Sequence, residues 1–392
     1  MSKKISFNFI DVFCGAGGLS CGLEMNGHKC LLGIDANKHA IETFSANHKY
    51  ANSYCGDVTK LTTKMLKELI DDQEIHVVVG GPPCQGFSTV GTGNPKDSRN
   101  TLFKEFVRIV KITKPLFVVV ENVTGLLAKK NEKTLKAIFK EFSKLGYNMD
   151  AQVLSAHNYG VPEKRRRTIL IGSRINNQIL YPKKTHDVIM AKTFRNAVTI
   201  GDAFKDLHDK SGKFHNHDIE LAQVKSKIDL KRLKRIPEGK GIRYERDEKA
   251  YLTPSLKLGV NWKEIRENRF RQTKYQRLDR SKPGPTIMTH RHSYFHPTEN
   301  RYLTQREGAK IQSFPNDFIF KGPISSQWKQ IGNAVPPLLG KAIADALEKM
   351  FQSFHSNKEK HQFKKESVQS KIDKIRKRAF LYKDKDSEAS SS

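Results

Sequence analysis

The sequence predicts an α/β fold: a mostly parallel sheet with helices on both faces, followed by a smaller, irregular second domain. Over the first 175 residues, short runs of β-branched and aromatic residues alternate with segments whose apolar residues recur at helical spacing. From about residue 176 to 300 that alternation gives way to a stretch rich in Lys and Arg. Strand–helix alternation is typical of parallel sheets, because each crossover helix packs back onto one face of the sheet.

Five apolar segments are predicted as buried strands, and two segments as helices between them. The predicted strands are residues 7–13, 29–35, 75–80, 116–121 and 167–172. Apolar side chains at helical spacing predict helices around residues 102–110 and 135–145, and Gly146 is placed to end the second. Ligands of such sheets bind at the carboxyl ends of the strands, where the motifs below fall.

The chain divides into three predicted regions. The first domain comprises residues 1–175 together with 326–352, and the second comprises residues 176–325. A last helix, predicted from helical periodicity at Leu338, Leu339, Ile343, Ala344 and Leu347, rejoins the first domain. Residues 353–392 are Lys-rich and poor in apolar side chains, so they are predicted to be disordered or only partly helical.

Charge and cysteine content narrow the functional class. Lys and Arg number 70 against 41 Asp and Glu, a net charge of +29 that indicates a polyanionic partner. The five cysteines, with no C-x-x-C pair, predict neither a disulfide framework nor a cysteine zinc site, and hence a reduced, cytoplasmic protein. Asn8 and Asp11 interrupt the opening apolar run, which predicts a strand and not a signal peptide. No apolar run reaches the roughly 18 residues of a membrane span.

A glycine-rich loop follows the first predicted strand. Residues 13–18 read Phe-Cys-Gly-Ala-Gly-Gly, and glycines there allow a tight turn and close approach of the backbone to a ligand. Asp35 ends the next strand, where its carboxylate can accept hydrogen bonds from ribose hydroxyls. Asp57 follows a third candidate strand and can accept from an adenine amino group. Each Asp taken alone is best interpreted as an ordinary loop or cap residue, but together they fit a nucleoside site.

A second loop presents a single cysteine. Residues 80–88 read Gly-Gly-Pro-Pro-Cys-Gln-Gly-Phe-Ser at the end of an apolar strand. Two prolines make a stiff turn, and Cys84 follows them in a polar, glycine-rich setting that is unusual for a buried structural cysteine. A thiolate is the nucleophile suited to a soft, electron-poor ring carbon.

Both loops resemble those of the DNA (cytosine-5)-methyltransferases of bacterial restriction–modification systems. GGPPCQGFS is similar to the family's catalytic loop, and FIDVFCGAGG to its S-adenosylmethionine loop. Further matches follow in the family's order over residues 7 to about 350: Glu121-Asn122-Val123, GVPEKRRR (160–167), LTQREGAKIQSFP (303–315) and QIGNAVPP (330–337). The resemblance implies a Rossmann-like S-adenosylmethionine-dependent methyltransferase sheet with a smaller, irregular target-recognition domain.

The resemblance also implies roles for individual residues. Cys84 attacks carbon 6 of cytosine, and Glu121 binds ring N3 and stabilises its protonated form. Arg165 and Arg167 hold the cytosine O2 and neighbouring groups. Glu163 stands where the family usually has Gln. The residues expected to bind S-adenosylmethionine are Phe13, Gly15, Gly17, Gly18, Leu19, Asp35, Asp57, Pro82, Asn333 and Ala334.

The basic second domain lies where the family carries its target-recognition region, so the expected substrate is double-stranded DNA. A cytosine stacked in a duplex is out of reach of Cys84, so the base must be flipped out. Dense Lys and Arg mostly contact phosphate, and a few arginines are expected to read guanine edges. Three nearby histidines, 290, 292 and 296, make a poor zinc site without a fourth ligand. The basic residues are Lys225, Lys227, Lys231, Arg232, Lys234, Arg235, Lys240, Arg243, Arg266, Arg269 and Arg271, with Trp262 among them.

Two alternatives remain at this stage: a tRNA cytosine-5 methyltransferase of the same fold, and an inactive DNA-binding regulator. The long basic region favours DNA over tRNA, and the presence of Cys84, Glu121 and Arg165 favours an enzyme. The expected setting is bacterial and cytoplasmic, on the nucleoid, with the protein monomeric on DNA and paired with a restriction endonuclease. We expect removal of the Lys-rich tail to cost DNA affinity and not turnover.

Overall fold

The computed structural model describes residues 5–82, 98–175, 178–187, 195–356 and 366–388. The chain forms two compact units. Unit 1 comprises Met1–Tyr159, Arg165–Asn196 and Ala334–Ser392, and unit 2 comprises Gly160–Lys164 and Ala197–Asn333. Unit 1 therefore continues beyond the expected limit at 175, and its last segment begins at 334 and not at 326. The part of unit 1 beyond residue 175 is attached by a hydrogen bond in which Thr185 N donates to Asn158 O.

Regular structure follows the chain in this order. The strands are β1 Asn8–Val12, β2 Lys29–Asp35, β3 Asn52–Cys55, β4 Val77–Gly80, β5 Phe117–Val123, β6 Asn148–Ser155, β7 Arg166–Ser173, β8 His186–Asp187, β9 Arg195–Asn196, β10 Ile242–Tyr244 and β11 Arg269–Lys274. The helices are α1 Gly18–Glu24, α2 Lys38–Asn47, α3 Thr63–Leu69, α4 Ser98–Thr113, α5 Glu132–Lys144, α6 Ile200–Ala203, α7 Lys227–Leu233, α8 Glu245–Tyr251, α9 Gln305–Ile311, α10 Ile324–Asn333, α11 Pro337–Ser356 and α12 Val368–Glu388.

Unit 1 is built on a seven-stranded sheet of order β3-β2-β1-β4-β5-β7-β6. Strands β1 to β5 run parallel, and β7 pairs antiparallel with both β5 and β6. This confirms the α/β class and the mostly parallel sheet. Apolar residues of the central strands β1, β4 and β5 are buried, as expected for strands covered on both faces. Strand β6 escaped prediction, although its alternation of buried and partly buried residues carries the period of 2 typical of an edge strand.

The predicted helices are present at the expected positions. Helix α5 ends before Gly146, whose φ of 83° lies in the left-handed region that glycine adopts at no cost. Helix α11 rejoins unit 1 as predicted. It packs so closely on α1 that a Cβ on Gly22 would lie 2.2 Å from Pro337 O.

The chain's C-terminal part differs from its prediction. Composition predicts a disordered or only partly helical tail, but Val368–Glu388 forms α12. Ile372 and Ile375 of this helix are fully buried in the core that also contains Phe139 and Met149. Burial of each isoleucine contributes roughly 1.5–3 kcal/mol, which favours packing of this segment on unit 1 despite its few apolar residues. The two isoleucines lie three residues apart on one helical face, a signal that is weak among so many lysines.

Unit 2 contains short elements held together by buried polar side chains. Thr304 and Glu307 form a capping box at the start of α9, and Arg301 pairs with Glu307 at 2.7 Å. Arg277 is buried and donates to the carbonyl oxygens of Leu233, Ile236 and His296. These buried polar side chains find hydrogen-bond partners within unit 2, alongside apolar clusters such as the one that contains Ile236, Ile242 and Trp262.

Candidate active site

Strand β5 delivers Glu121 to the carboxyl edge of the sheet. Phe117 to Val120 are fully buried, and the strand changes character at Glu121. An added Cβ at Gly81 would lie 3.2 Å from Glu121 Oε2, so the carboxylate lies against the backbone that follows β4. Glu121 therefore lies beside the start of the cysteine loop in unit 1.

Arg167 pairs with Glu121. Its Nε lies 2.8 Å from Glu121 Oε1, and both side chains are largely buried. Burial raises the pKa of Glu121 above its ordinary value, while the positive charges of Arg167 and Arg165 oppose that shift. A carboxyl whose pKa is raised keeps its proton to higher pH than an ordinary glutamate, which suits general acid catalysis.

Asn122 ties β5 to the cysteine loop. Its Nδ2 donates to Pro82 O at 3.1 Å, across strands β4 and β5. Asn122 belongs to the motif Glu121-Asn122-Val123, but the sequence alone indicates no separate role for it. A polar residue following the glutamate that ends a buried strand is the signal that could have drawn attention to it. Cys84 itself lies outside the described residues.

The described cysteines are free thiols, and two of them are poor nucleophiles. Cys14, Cys21 and Cys30 are buried, and Cys55 is exposed. Burial raises the pKa values of Cys14 and Cys30 well above the ordinary range, so both remain protonated at neutral pH.

The glycine loop adopts the open turn that its sequence predicts. Phe13, Gly15 and Gly17 have positive φ values of 64°, 54° and 88°. A left-handed conformation at a bulky residue such as Phe13 is strained and marks loops shaped for a ligand. No described atom lies within 4 Å of a Cβ position at Gly15, whereas a Cβ at Gly17 would lie 2.2 Å from His48 Nε2. The loop is thus supported from behind at Gly17 and open at Gly15.

The two predicted aspartates differ in their surroundings. Asp35 ends β2, where its Oδ2 accepts from Gly15 N at 2.9 Å and its Oδ1 accepts from Asn37 N at 2.8 Å. It therefore lies beside the glycine loop, as predicted. Asp57 is exposed and caps the 3-10 helix Val58–Lys60 through Thr59 N, whose hydrogen bond lowers the pKa of the carboxyl.

A buried carboxyl to which the sequence analysis gave no role in the site lies beneath this loop. Asp11, within β1, accepts a hydrogen bond of 2.6 Å from Ser20 Oγ of α1. His48, behind Gly17, lies 2.7 Å from Glu24 Oε2 through its Nδ1. An aspartate inside an otherwise apolar strand was the available signal. These contacts attach α1, and the loop before it, to the sheet.

Asp11 makes the stability of the fold depend on pH. Burial raises the pKa of Asp11 to about 7, although the Ser20 hydrogen bond and the charge of His48 oppose the shift. Because the folded state binds this proton more tightly, its stabilisation is complete below the unfolded pKa of about 4 and is lost as the pH rises to about 7. We expect Asp11→Asn to remove this dependence, measured by urea unfolding at about pH 5 and about pH 7.5. If the free energy of unfolding changed equally with pH in the wild type and in Asp11→Asn, the raised pKa of Asp11 would be contradicted.

The remaining predicted residues occupy defined positions. Pro82 and Leu19 are buried, and Gly18 begins α1. Arg165, which directly precedes β7, is fully buried. Asn333 ends α10 in unit 2, and Ala334 begins the last segment of unit 1. Next to Asn333, a Cβ on Gly332 would lie 2.6 Å from the carbonyl carbon of Met288, so that backbone approach requires glycine.

Glu163 has a structural contact within unit 2. Its side chain is completely buried, and its Oε1 accepts from Ile287 N at 2.6 Å. Gly284 N donates to Pro162 O, and Lys164 N donates to Gly284 O, so the segment containing Pro283-Gly284-Pro285 is joined to residues 162–164. Either a carboxylate or an amide oxygen can accept this hydrogen bond, which explains how Glu substitutes for Gln here.

The family model for C-5 cytosine-specific DNA methylases matches residues 7–349 of this chain. The chain belongs to this family. The match spans the glycine loop, both arginines, α9 and the beginning of α11. The enzyme is accordingly a DNA (cytosine-5)-methyltransferase.

Curated relatives of this methyltransferase match over most of their length. It is 37% identical over 353 residues to the Type II methyltransferase M1.HphI of Haemophilus parahaemolyticus, covering 88% of each chain. It is 33% identical over 384 residues to the Type II methyltransferase M.DdeI of Desulfomicrobium norvegicum, covering 89% of this chain and 90% of the relative.

Solved structures share the architecture. A chain described as a DNA modification methyltransferase encoded within a prophage (E. coli) has a TM-score of 0.66 at 27% identity, covering 88% of this chain and 99% of that one. A methyltransferase of Entamoeba histolytica has a TM-score of 0.58 at 16% identity, covering 89% of this chain and 99% of that one. At this identity the likeness concerns the fold alone. Within the described part of the chain, no helix has the length and apolar character needed to cross a membrane.

The basic residues of unit 2 of the methyltransferase fall into two groups. Some make hydrogen bonds that hold the unit together, and others are exposed. Arg232 is partly buried and donates to Leu256 O and Lys257 O. Trp262 is buried and donates to Glu248 Oε2 at 2.7 Å, so it is a core residue. The exposed basic residues of the predicted set are Lys225, Lys227, Lys231, Lys234, Arg235, Lys240, Arg266 and Arg271.

Proposed function

We propose that this methyltransferase uses Cys84 and Glu121 to methylate carbon 5 of a cytosine flipped out of a short duplex sequence, with S-adenosylmethionine as methyl donor. The observation that carries this proposal is the position of Glu121. Its carboxyl has a raised pKa, is paired with Arg167, and lies against Gly81, three residues before Cys84. Unit 1 would perform the chemistry, and unit 2 would read the DNA.

The glycine loop fits the methyl donor. The open side of Gly15 leaves room for the methionine part, and Gly17, Gly18 and Leu19 continue the same surface into α1. Each oxygen of Asp35 accepts one backbone N–H and retains lone pairs that can accept from ribose hydroxyls.

Further residues would complete the donor site. The exposed carboxylate of Asp57 would accept from the adenine amino group. Phe13, Pro82, Asn333 and Ala334 would enclose the rest of the molecule. When bound, S-adenosylmethionine supplies an electrophilic methyl group on sulfur.

The residues of the chain make carbon 5 of cytosine nucleophilic. The Cys84 thiolate adds to carbon 6, and the electron pair of the ring double bond moves so that carbon 5 becomes part of an enamine. Glu121 gives its proton to N3 as negative charge develops on the ring. After methylation, a water molecule accepts the proton of carbon 5 and the thiolate leaves from carbon 6. N3 then returns its proton to Glu121, which restores the neutral aromatic ring and the starting enzyme.

The arginines orient both Glu121 and the base. Arg167 fixes the Glu121 carboxyl through the 2.8 Å contact of its Nε. A guanidinium carries further N–H groups, and those of Arg165 and Arg167 would hold the cytosine O2. The positive charges also limit how far burial raises the pKa of Glu121.

The exposed lysines and arginines of unit 2 would bind the phosphate backbone. For six to ten phosphate contacts, we expect DNA affinity to fall by about a thousandfold or more between 50 and 200 mM salt. Lys231→Ala should reduce the slope of log affinity against log salt by about 1, because it removes one exposed cation. Fluorescence anisotropy with a labelled duplex measures both quantities. Affinity that does not change with salt would contradict phosphate binding.

The relatives named as Type II methyltransferases support a role in restriction and modification. In that role the enzyme would act as a monomer on DNA in the bacterial cytoplasm. It would protect host sites from a partner restriction endonuclease.

Methylation of an unmethylated genomic library, read at base resolution, tests the proposed function. Purified protein with S-adenosylmethionine should place 5-methylcytosine at one short recognition sequence. Methylation of tRNA in place of DNA, or no marks above a Cys84→Ala control, would contradict it.

A further inference from the structure

Helix α12 lies beyond the stretch matched by the family model, which ends at residue 349. It nevertheless belongs to unit 1 and packs on β6 and α5. Its buried Ile372 and Ile375 share a core cluster with Leu126, Leu127 and Leu135. Val368 and Ala379 pack against the same cluster, so the four residues form one face of the helix.

Arg376 extends this face into a set of polar contacts. Its Nε donates to Leu127 O at 3.1 Å, and its Nη2 donates to Ala128 O at 3.4 Å. Its Nη1 is paired with Glu132, the first residue of α5. The hydrogen bonds from Lys136 and Arg376 lower the pKa of Glu132 to about 2, so this partner stays ionised.

The carbonyl groups that Arg376 binds lie directly downstream of the catalytic strand. Strand β5 ends at Val123, and the 3-10 helix Thr124–Leu127 follows at once. Leu126 and Leu127 of that turn are buried, and Asn131 Nδ2 donates to Gly125 O at 2.7 Å. The turn is therefore held on one side by the core and on the other by Arg376.

The other end of the same short segment reaches the cysteine loop. Glu121 contacts Arg167, and Asn122 binds Pro82 O. Only Val123 separates these residues from the turn that Arg376 holds. A displacement of the turn would thus be transmitted to the two residues that connect β5 with the active site.

We propose that α12 is a functional part of the catalytic unit, and that Arg376 is a positioning residue which holds the Thr124–Leu127 turn and, through it, Glu121 and Asn122. This inference rests on the proposed role of Glu121. It revises the expectation from composition that the Lys-rich tail contributes DNA affinity alone.

Full-length Arg376→Ala, Arg376→Lys and Lys377→Ala test the inference. Lys377 is the matched control, because it is the adjacent cation on α12 and its side chain is exposed. The readout is the single-turnover rate constant at saturating enzyme over DNA, which does not depend on the fraction of enzyme that is folded. Binding of S-adenosylmethionine is measured in parallel by calorimetry.

We expect Arg376→Ala to lower the single-turnover rate constant by about tenfold, because small displacements of catalytic groups are costly. Binding of S-adenosylmethionine should change less than twofold. The glycine loop and Asp35, which would hold the donor, lie at the ends of β1 and β2 and not at the end of β5. Arg376→Lys should recover part of the rate by restoring the cation beside Glu132. Lys377→Ala should behave as wild type.

A rate constant for Arg376→Ala within twofold of wild type would overturn the inference, even if the melting temperature fell. Glu121→Gln, measured alongside, separates this failure from that of the proposed function. A slow Glu121→Gln with a normal Arg376→Ala contradicts only the positioning role. A normal Glu121→Gln contradicts the proposed role of Glu121 itself.

Discussion

Cys84→Ala is expected to abolish methyl transfer to DNA while leaving the binding of S-adenosylmethionine intact. Carbon 5 of cytosine is too weak a nucleophile without prior addition of a thiolate at carbon 6, and alanine has no group that can add. The glycine loop and Asp35, which would hold the donor, belong to the ends of β1 and β2. Transfer of a labelled methyl group and calorimetry of donor binding measure the two properties separately.

Cys55→Ala is the matched control for this prediction. Cys55 is an exposed free thiol, so Cys55→Ala also removes one thiol from the protein but leaves no cavity. It should retain wild-type turnover. Measurable turnover by Cys84→Ala, above the level of a reaction without enzyme, would contradict nucleophilic catalysis by Cys84.

Glu121→Gln should slow the single-turnover rate by about 10²–10⁴-fold, the range that general acid catalysis contributes. Glutamine has the same shape, and its carbonyl oxygen can still accept from Arg167, so the geometry of the site should persist. It cannot transfer a proton to N3 or carry negative charge. DNA binding should remain close to wild type, which anisotropy with the recognition duplex will measure.

The pH profile adds a second test of Glu121. Because its raised pKa keeps the carboxyl protonated to higher pH than usual, the single-turnover rate should fall on the alkaline side as that proton is lost. Glu121→Gln should lack this alkaline limb. An identical profile in both proteins would assign the titration to another group.

Sequence patterns were sufficient for the parts of the site that lie at strand ends. Glu121 and Asp35 each end an apolar run, and parallel strands bring their carboxyl ends to one edge of a sheet. The positive φ values at Gly15 and Gly17 are likewise what a glycine-rich turn after a strand predicts.

Contacts between distant parts of the chain could not be predicted in this way. Arg376 and Glu132 are 244 residues apart, and no local periodicity connects them. For the same reason two residues expected in the DNA-contacting set were not identified as structural hydrogen-bond donors. Arg232 donates to the backbone carbonyl group of Leu256, and Trp262 donates to the buried carboxylate of Glu248. The basic composition of this region indicates a surface for DNA, whereas the hydrogen bonds of these two residues stabilise the fold of unit 2.

Trapping of the covalent intermediate tests the central claim most directly. The recognition duplex is synthesised with 5-fluorocytosine at the methylated position and incubated with enzyme and S-adenosylmethionine. Fluorine cannot leave carbon 5 as a proton does, so the thiolate cannot be eliminated after methylation. We predict a stable protein–DNA adduct whose tryptic peptide carries the modified base on Cys84. An adduct on another residue would contradict the mechanism. So would the absence of an adduct if the enzyme methylates the same duplex made with ordinary cytosine.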